Sequence, residues 1–380
     1  MLLTRKAENF MLRVGIIGAR GYTGEELLNL LLQHSQVKIN YLTARVDRPV
    51  KISELFPQFK NRLDLVCDNF NLSHALESAD LFFLALPHTT SMDVAPLLRK
   101  RGKKVIDLSA DYRLKDFKLY EAWYKAKHKD RKNLKKAVYG LAEIHKADIR
   151  EADFIANPGC YSALAILSLA PLVKVRPAQI KSIIIDAKSG YSGAGRKSTD
   201  GPSWGEIKDN FKAYKVDSHQ HTPEIEQELS KLAKKKIKVT FVPHLLPIER
   251  GILETIYVRL SVPSASLGTG KCQVSSVKLI NMYKDFYKNQ PFIRIKNEGE
   301  FPSLSDVQHS NFCDIGIKAG KDKKLIIIIS AIDNLLKGAS GEAVQNMNLM
   351  YGFRESEGLP PFETTGQREK IKRFRTGFTI

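Results

Sequence analysis

Cysteine is scarce in this chain: 380 residues hold four, Cys67, Cys160, Cys272 and Cys313, scattered and without any Cys-x-x-Cys spacing. That excludes a disulfide framework and a thiolate zinc site, and it suits a reducing, cytoplasmic setting. Long apolar runs are missing as well. No stretch reaches the roughly 18 to 20 residues of a membrane-spanning helix, so no membrane partner is expected. The opening Met1-Leu2-Leu3-Thr4-Arg5-Lys6-Ala7-Glu8-Asn9-Phe10 lacks the apolar core and the small-residue cleavage site of a secretory leader. No internal repeat is present, which sets aside solenoids and propellers. Acidic residues are short too: 41 against 60 lysines and arginines, a formal net charge of +19. Such a balance attracts nucleic acid, anionic surfaces or an anionic substrate. Much of the excess lies in lysine clusters at 125–136, 234–236 and 321–324, read as solvated loops and turns. No recognition motif accompanies it, so no specific nucleic-acid partner is expected.

What is present is a globular composition, 43% hydrophobic and 27% charged, in a chain too long for one ordinary domain. Leu12-Arg13-Val14-Gly15-Ile16-Ile17 reads as a buried strand. It runs into Gly18-Ala19-Arg20-Gly21-Tyr22-Thr23-Gly24 and then the helical Glu25-Glu26-Leu27-Leu28. Glycines between strand and helix let a backbone approach a pyrophosphate, which the helix N-terminus stabilises. The next strand, Val37 to Thr43, ends where a ribose hydroxyl is read. Asp or Glu there favours NAD; Thr43, Ala44 and Arg45 suit a 2′-phosphate, so NADP(H) is the expected cofactor. Asp80 to His88 and Lys103 to Ser109 continue a strand–helix alternation that matches a doubly wound parallel sheet. His88 either lines the cofactor crevice or is a structural histidine. The lysine-rich stretch after Asp111-Tyr112-Arg113 reads as irregular surface connection up to Ile155.

At Ala156-Asn157-Pro158-Gly159-Cys160-Tyr161 the chain passes through a turn into an Ala/Leu-rich helix. Cys160 therefore stands at a helix N-terminus, where amide N–H groups and the helix dipole favour a thiolate and can hold an oxyanion. The competing reading is a small core hydrophobe. Beyond it, strands at 180–186, 238–242, 253–260 and 324–330 with fewer helices indicate an α+β second domain. Ser189-Gly190-Tyr191-Ser192-Gly193-Ala194-Gly195-Arg196-Lys197 is either a plain turn or a phosphate cradle. In Ser218-His219-Gln220-His221-Thr222-Pro223-Glu224, Thr222 reads as an N-cap and Pro223 as the first turn. Both histidines then precede a helix at its positive end and stay neutral, able to act as bases. A metal site at His219 and His221 lacks a third ligand, and none is expected. His244 and Arg250 stand in a loop, 243–251, that could grip a carboxylate. Residues 333–350 read as one long helix with small residues on its first turns, and 361–380 as a tail.

The parts together resemble the N-acetyl-gamma-glutamyl-phosphate reductases, relatives of aspartate-semialdehyde dehydrogenase, over residues 11–360. The motifs are Gly18 to Gly24, Leu86-Pro87-His88, Asp107 to Arg113, Tyr139-Gly140-Leu141-Ala142-Glu143, Asn157 to Tyr161, Ser189 to Arg196, His219 to Glu224, Pro243-His244, and Asp333 to Ala339. The resemblance implies a Rossmann-like NADP-binding domain at 1–156, completed by a C-terminal helix within 331–360, and a catalytic, oligomerising α+β domain at 157–330. It implies a homodimer or homotetramer acting on a small acyl phosphate in arginine biosynthesis, with Cys160 carrying a thioester. His221 becomes the acid/base, with His219 and Glu224 orienting substrate. Gly18, Arg20, Gly21, Tyr22, Thr23, Gly24, Thr43, Arg45, Pro87, Ser189, Gly190 and Asn334 are expected at the cofactor. Arg113, Asn157, Ser192, Arg196, Glu224, His244 and Arg250 are expected at the substrate. Two departures stand out: Ser162-Ala163 where the family often has Pro-Thr, and Gln220 where the histidine pair commonly encloses Arg. Related enzymes that take carrier-linked glutamyl or aminoadipyl phosphates, and a basic nucleic-acid-binding scaffold, are the alternatives.

Overall fold

The computed structural model describes residues 11–196, 208–261, 275–322 and 324–360. The first ten residues, the expected tail at 361–380, Lys197 and Cys272 lie outside the described residues.

Eight strands form the first sheet: β1 Leu12–Ile17, β2 Val37–Thr43, β3 Val50–Lys51, β4 Val66–Asp68, β5 Leu81–Leu84, β6 Lys104–Asp107, β7 Val138–Tyr139 and β8 Phe154–Ala156. Their order is β3-β4-β2-β1-β5-β6-β8-β7, and only the β3–β4 pair is antiparallel. Val14 and Ile16 enter one core while Ile17, Phe82 and Leu84 enter another across the sheet, so the parallel strands are buried on both faces. The chain runs outward from β1 to β2 on one side and resumes at β5 on the other. A crevice therefore opens beyond the carboxyl ends of β1 and β5.

The second sheet holds β9 Ile180–Gly190, β10 Lys212–Ala213, β11 Thr240–Leu246, β12 Ile252–Leu260, β13 Ile293–Ile295, β14 Cys313–Ala319 and β15 Leu325–Ile332, in the order β10-β11-β9-β12-β15-β14-β13. Ile183, Ile185, Ile256 and Ile328 pack with residues of three helices, Cys160–Val175, His221–Ala233 and Ser276–Phe286. The first of these is buried almost all round, from Tyr161 to Val173, as its lack of a polar face dictates. On the opposite face Ile184, Tyr257 and Ile327 stand opposite one another on three strands and keep solvent access.

Several expectations are corrected. Residues 114–154 are not irregular: they contain helices Phe117–Tyr124, Arg131–Leu134 and Ala142–Arg150 and the edge strand β7. Asp116 and Asp130 cap the first two, and Tyr120 and Leu134 anchor them in the core, signals hidden among lysines. The histidine helix starts at His221 with Gln220 before it, so Thr222 lies in the first turn and caps nothing. The 243–251 loop is shorter than read, because β11 continues through Leu246 and His244 is a strand residue. Residues 333–350 do not form one helix: a π-type turn, Leu336–Ser340, precedes the helix Gly341–Tyr351. The strands at 293–295 and 313–319 and the helix at 276–286 add to the reading of the second half.

Candidate active site

The β1 turn is built for close approach. Gly18 takes φ +100°, and a Cβ there would lie 2.2 Å from the Ala85 carbonyl oxygen. A Cβ at Gly24 would lie 2.5 Å from the Gly18 carbonyl oxygen, so both positions exclude any side chain. The Thr43 carbonyl accepts from the amides of Gly18 and Ala19 at 2.9 and 2.8 Å, stitching the turn to β2. The helix Tyr22–Leu31 begins after Gly21 with no side-chain cap, leaving its first amides for an anion. Arg20, Arg45 and Pro87 are exposed around this crevice, and Thr23 is half-buried. Thr43 itself is buried, which leaves the Arg45 guanidinium as the exposed group at the end of β2. This turn fits a dinucleotide.

Cys160 opens its helix as expected, behind Gly159, but its electrostatics differ from the expectation. Burial pushes the thiol up to about 11, outweighing the Tyr161 amide and the Arg113 charge that pull it down. Helix-end stabilisation is small beside desolvation here, so the balance favours the thiol although the residue is only half-buried. Opposite lies Gly338, where a Cβ would sit 2.8 Å from the Cys160 Cβ. The small residues of the 333–341 turn thus make room for the nucleophile.

His221 packs on the same turn: a Cβ at Gly159 would lie 2.3 Å from its Nε2. Its Nδ1 is buried with no hydrogen-bond partner among the described residues. The His219 Nδ1 is committed, accepting from the His221 amide at 3.1 Å. The two rings meet at 4.7 Å, and the Tyr161 ring contacts both. Burial pushes His219 down to about 3 and His221 well below its ordinary value, with nearby histidine and arginine charges adding to the His221 effect. Both are neutral at neutral pH. His88, in the turn that follows β5, accepts from the Ala110 amide at 3.1 Å.

Many of the residues expected at the substrate and at the cofactor make hydrogen bonds within the protein. Asn157 donates to the Ala339 carbonyl and accepts from Asn346, both at 3.0 Å, so it ties the cysteine turn to the C-terminal segment. Arg250 donates to Asp333 at 3.0 Å and lies 3.3 Å from Glu26 of the cofactor helix; a guanidinium this buried needs internal acids, and it bridges the two halves of the molecule. His244 turns its Nδ1 towards Ala187 and Asp186, at 3.2 Å each. The Asn334 amide is used at both ends, donating to Ser192 at 2.9 Å and accepting from the Gly251 amide at 2.7 Å. The amides of Gly190, Tyr191 and Ser192 point to the carbonyls of Gly251, Ile248 and Glu249, and the Ser189 hydroxyl donates to Gly190. These hydrogen bonds brace the turn that runs from Ser189 to Ser192. Arg196 pairs with Glu25 and lies over the rings of Tyr22 and Phe56, at 4.5 and 5.1 Å. That places it beside the cofactor turn, not with the substrate set. Arg113 and Glu224 do meet at the cysteine turn, 3.5 Å apart.

Two buried groups escaped the sequence reading. Glu254 is fully buried on β12, and neither carboxyl oxygen has a partner among the described residues. Burial raises its carboxyl well above the ordinary range, and its charge would reach the Cys160 and Cys313 thiols. The signal was legible: Glu254 shares the strand phase of Ile252, Ile256 and Val258. The Lys337 ammonium, also fully buried, donates to Glu143 at 2.7 Å, to Glu342 and to Gln345 at 2.8 Å. Among the described residues no helix is long and apolar enough to cross a membrane.

Two family models match the chain: "semialdehyde dehydrogenase, NAD binding domain" over residues 13–152 and "semialdehyde dehydrogenase, dimerisation domain" over residues 160–334. Among solved structures, aspartate semialdehyde dehydrogenase II from Vibrio cholerae matches with a TM-score of 0.66 and 18% identity, covering 90% of this chain and 99% of that one. The Candida albicans aspartate semialdehyde dehydrogenase with NADP matches at 0.64 and 16%, covering 90% and 98%. The fold is thus that of the semialdehyde dehydrogenases, with a nicotinamide-dinucleotide domain and a domain of the kind that builds oligomers. The N-acetyl-gamma-glutamyl-phosphate reductase of Geotalea daltonii is 49% identical over 92% of this chain and 98% of that protein. That of Pelotomaculum thermopropionicum is 47% identical over 91% and 97%. The chain belongs to the N-acetyl-gamma-glutamyl-phosphate reductase family.

Proposed function

We propose that this chain reduces N-acetyl-gamma-glutamyl phosphate to N-acetylglutamate 5-semialdehyde and inorganic phosphate, in arginine biosynthesis, with NADPH as the reductant. The observation that carries the reading is that a neutral histidine, His221, packs against Gly159, the residue directly before the half-buried thiol of Cys160.

A thiol this far from ionisation needs a base during attack. The His221 imidazole serves, because it is neutral and its ring lies against the cysteine turn. The Cys160 sulfur bonds to the acyl carbon while the carbon–oxygen bond to phosphate breaks, and the thiol proton passes to the imidazole. Bound nicotinamide supplies the hydride that brings the resulting thioester to the aldehyde level. The carbon–sulfur bond then breaks, and the imidazolium returns its proton to the sulfur. His219 holds the His221 backbone through its Nδ1. The amides at the start of the cysteine helix are placed to hold the acyl oxygen as charge gathers on it. Gly18, Gly21 and Gly24 admit the pyrophosphate, and Arg45 reads the 2′-phosphate.

The two sheets and their cores support a division of the chain at 156/157, with the helix Gly341–Tyr351 returning to the first unit. The apolar row of Ile184, Tyr257 and Ile327 supports a homodimer or homotetramer built on the second sheet. The test runs the reaction in reverse, with N-acetylglutamate semialdehyde, phosphate and NADP. Cys160→Ser is expected to abolish turnover, and His221→Ala to cost about 100-fold or more in kcat, exceeding His219→Ala. Arg45→Ala should erode the preference for NADP over NAD. Full activity in Cys160→Ser sinks the mechanism.

A further inference from the structure

We infer that Glu224 is a positioning residue that sets the spacing between nucleophile and base, and that it does not contact substrate. This rests on the reading of Cys160 and His221 given above. Glu224 is fully buried; its Oε1 is spent on the protein, while Oε2 has no hydrogen bond among the described residues and is held by charge alone. One accepts from the Gly159 amide at 2.8 Å and from the Tyr139 hydroxyl at 2.7 Å. The other faces the Arg113 guanidinium at 3.5 Å.

Arg113 closes the second side of the same turn. Its Nε donates to the Asn157 carbonyl at 2.7 Å and its Nη2 to the Leu108 carbonyl at 2.8 Å. The acid and the base therefore grip the peptide groups on either side of Pro158, directly before Cys160. Gly159 is where they converge: a Cβ there would lie 2.3 Å from His221 Nε2 and 2.8 Å from Arg113 Nη1. Glu224 stands three residues after His221 in one helix, so the two share a face within a single rigid turn. One helical turn thus carries the base and the anchor of the nucleophile's turn. The distance from imidazole to thiol is set by that helix rather than by a flexible loop.

The chemistry of the substrate points the same way. N-acetyl-gamma-glutamyl phosphate has an acylated, uncharged nitrogen and two anionic groups, so a carboxylate has no cation to meet and two charges to repel. A contact between Glu224 and either anionic group of the substrate would oppose binding. Turned inward and neutralised by Arg113, the carboxylate does no such harm.

Glu224→Asp keeps the charge and withdraws the oxygens by about 1.5 Å, one carbon–carbon bond. Two readouts are taken: steady-state kinetics with the acyl phosphate, and iodoacetamide alkylation of Cys160 against pH in enzyme without substrate. The turn, released from Glu224, admits water around the thiol, so alkylation at pH 8 rises at least about threefold and its pH midpoint falls. Misalignment lowers kcat by about 100-fold while KM stays within about threefold. Tyr139→Phe removes one of the hydrogen bonds that orient the carboxylate, and it moves both readouts in the same direction to a smaller extent; it decides the matter if Glu224→Asp does not fold. A large rise in KM with wild-type kcat and wild-type alkylation would make Glu224 a substrate ligand and overturn the inference. If the wild-type protein failed to reduce the acyl phosphate, the functional reading would fall, while substrate-free alkylation would still decide whether Glu224 holds the turn.

Discussion

Replacing Glu254 by methionine should stabilise the protein, and increasingly so as pH rises. The carboxyl is fully buried on β12 with both oxygens unpartnered among the described residues, and burial raises its pKa well above the ordinary glutamate value against a weaker opposing pull from Lys188. The folded chain therefore holds a proton that the unfolded chain releases above about pH 4.5. Stability from this group is fully present below that pH and is lost as pH climbs towards the raised folded value. The slope is about 1.4 kcal/mol per pH unit. Even protonated, a buried carboxyl with unmade hydrogen bonds costs about 1–3 kcal/mol. Methionine, similar in length and apolar, removes both penalties. Urea unfolding at pH 5.5, 6.5 and 7.5 should give a variant more stable by about 1–3 kcal/mol from the second penalty alone, plus about 1.4 kcal/mol for each pH unit in the window. Asp107, pushed up to about 7 by burial and by the Asp111 charge, titrates over the same range. It does so in both proteins and cancels in the difference. A difference that stays flat with pH, or a destabilised variant, would refute the reasoning.

The Cys160 thiol, pushed up to about 11, should be alkylated by iodoacetamide at a rate that climbs about tenfold per pH unit from 7 to 10 as the thiolate fraction grows. With Cys160→Ser as background, a plateau below pH 8 would show a thiolate at rest instead. Lys337→Met strands the Glu143 and Glu342 carboxylates in the core and should cost about 3–5 kcal/mol, read as a lowered denaturant midpoint. Adding Glu143→Gln and Glu342→Gln should recover most of that loss, and a neutral Lys337→Met would disprove the pairing.

The first half of the fold was legible because its signals are local. Apolar strands followed by glycine turns announce a parallel sheet, and Gly18 and Gly24 sit where their spacing put them. The lysine-rich 114–154 stretch was not legible, because its helices are held by a few anchors, Tyr120 and Leu134, amid residues that read as solvent. At the site, sequence found the right neighbourhood but not the hydrogen-bond partners. His219 and His221 do pack on Gly159 and Tyr161, the residues flanking Cys160, but periodicity says nothing of solvation, and burial pushes the thiol up where the helix end alone would pull it down. Asn157, Arg250 and Asn334 were read as ligand contacts from their chemical type. Each finds its hydrogen bonds inside the protein, with partners such as Ala339, Asp333 and Gly251 brought close only by the tertiary fold. Glu254 shows the converse failure: its strand phase placed it in the core, yet a charged letter reads as surface.

The thread from Asn157 to Ala339 and Asn346, and the packing of Gly338 on Cys160, bear on how the molecule is made. A ribosome delivers the nucleophile long before it delivers the wall behind it. Until residues 338–350 emerge, the cysteine turn lacks its far-side partners, and the first core lacks Ala343, Val344 and Met347. During synthesis, then, Cys160 passes through an interval in which it is translated but not enclosed. Its closing belongs to the last stretch of the described chain.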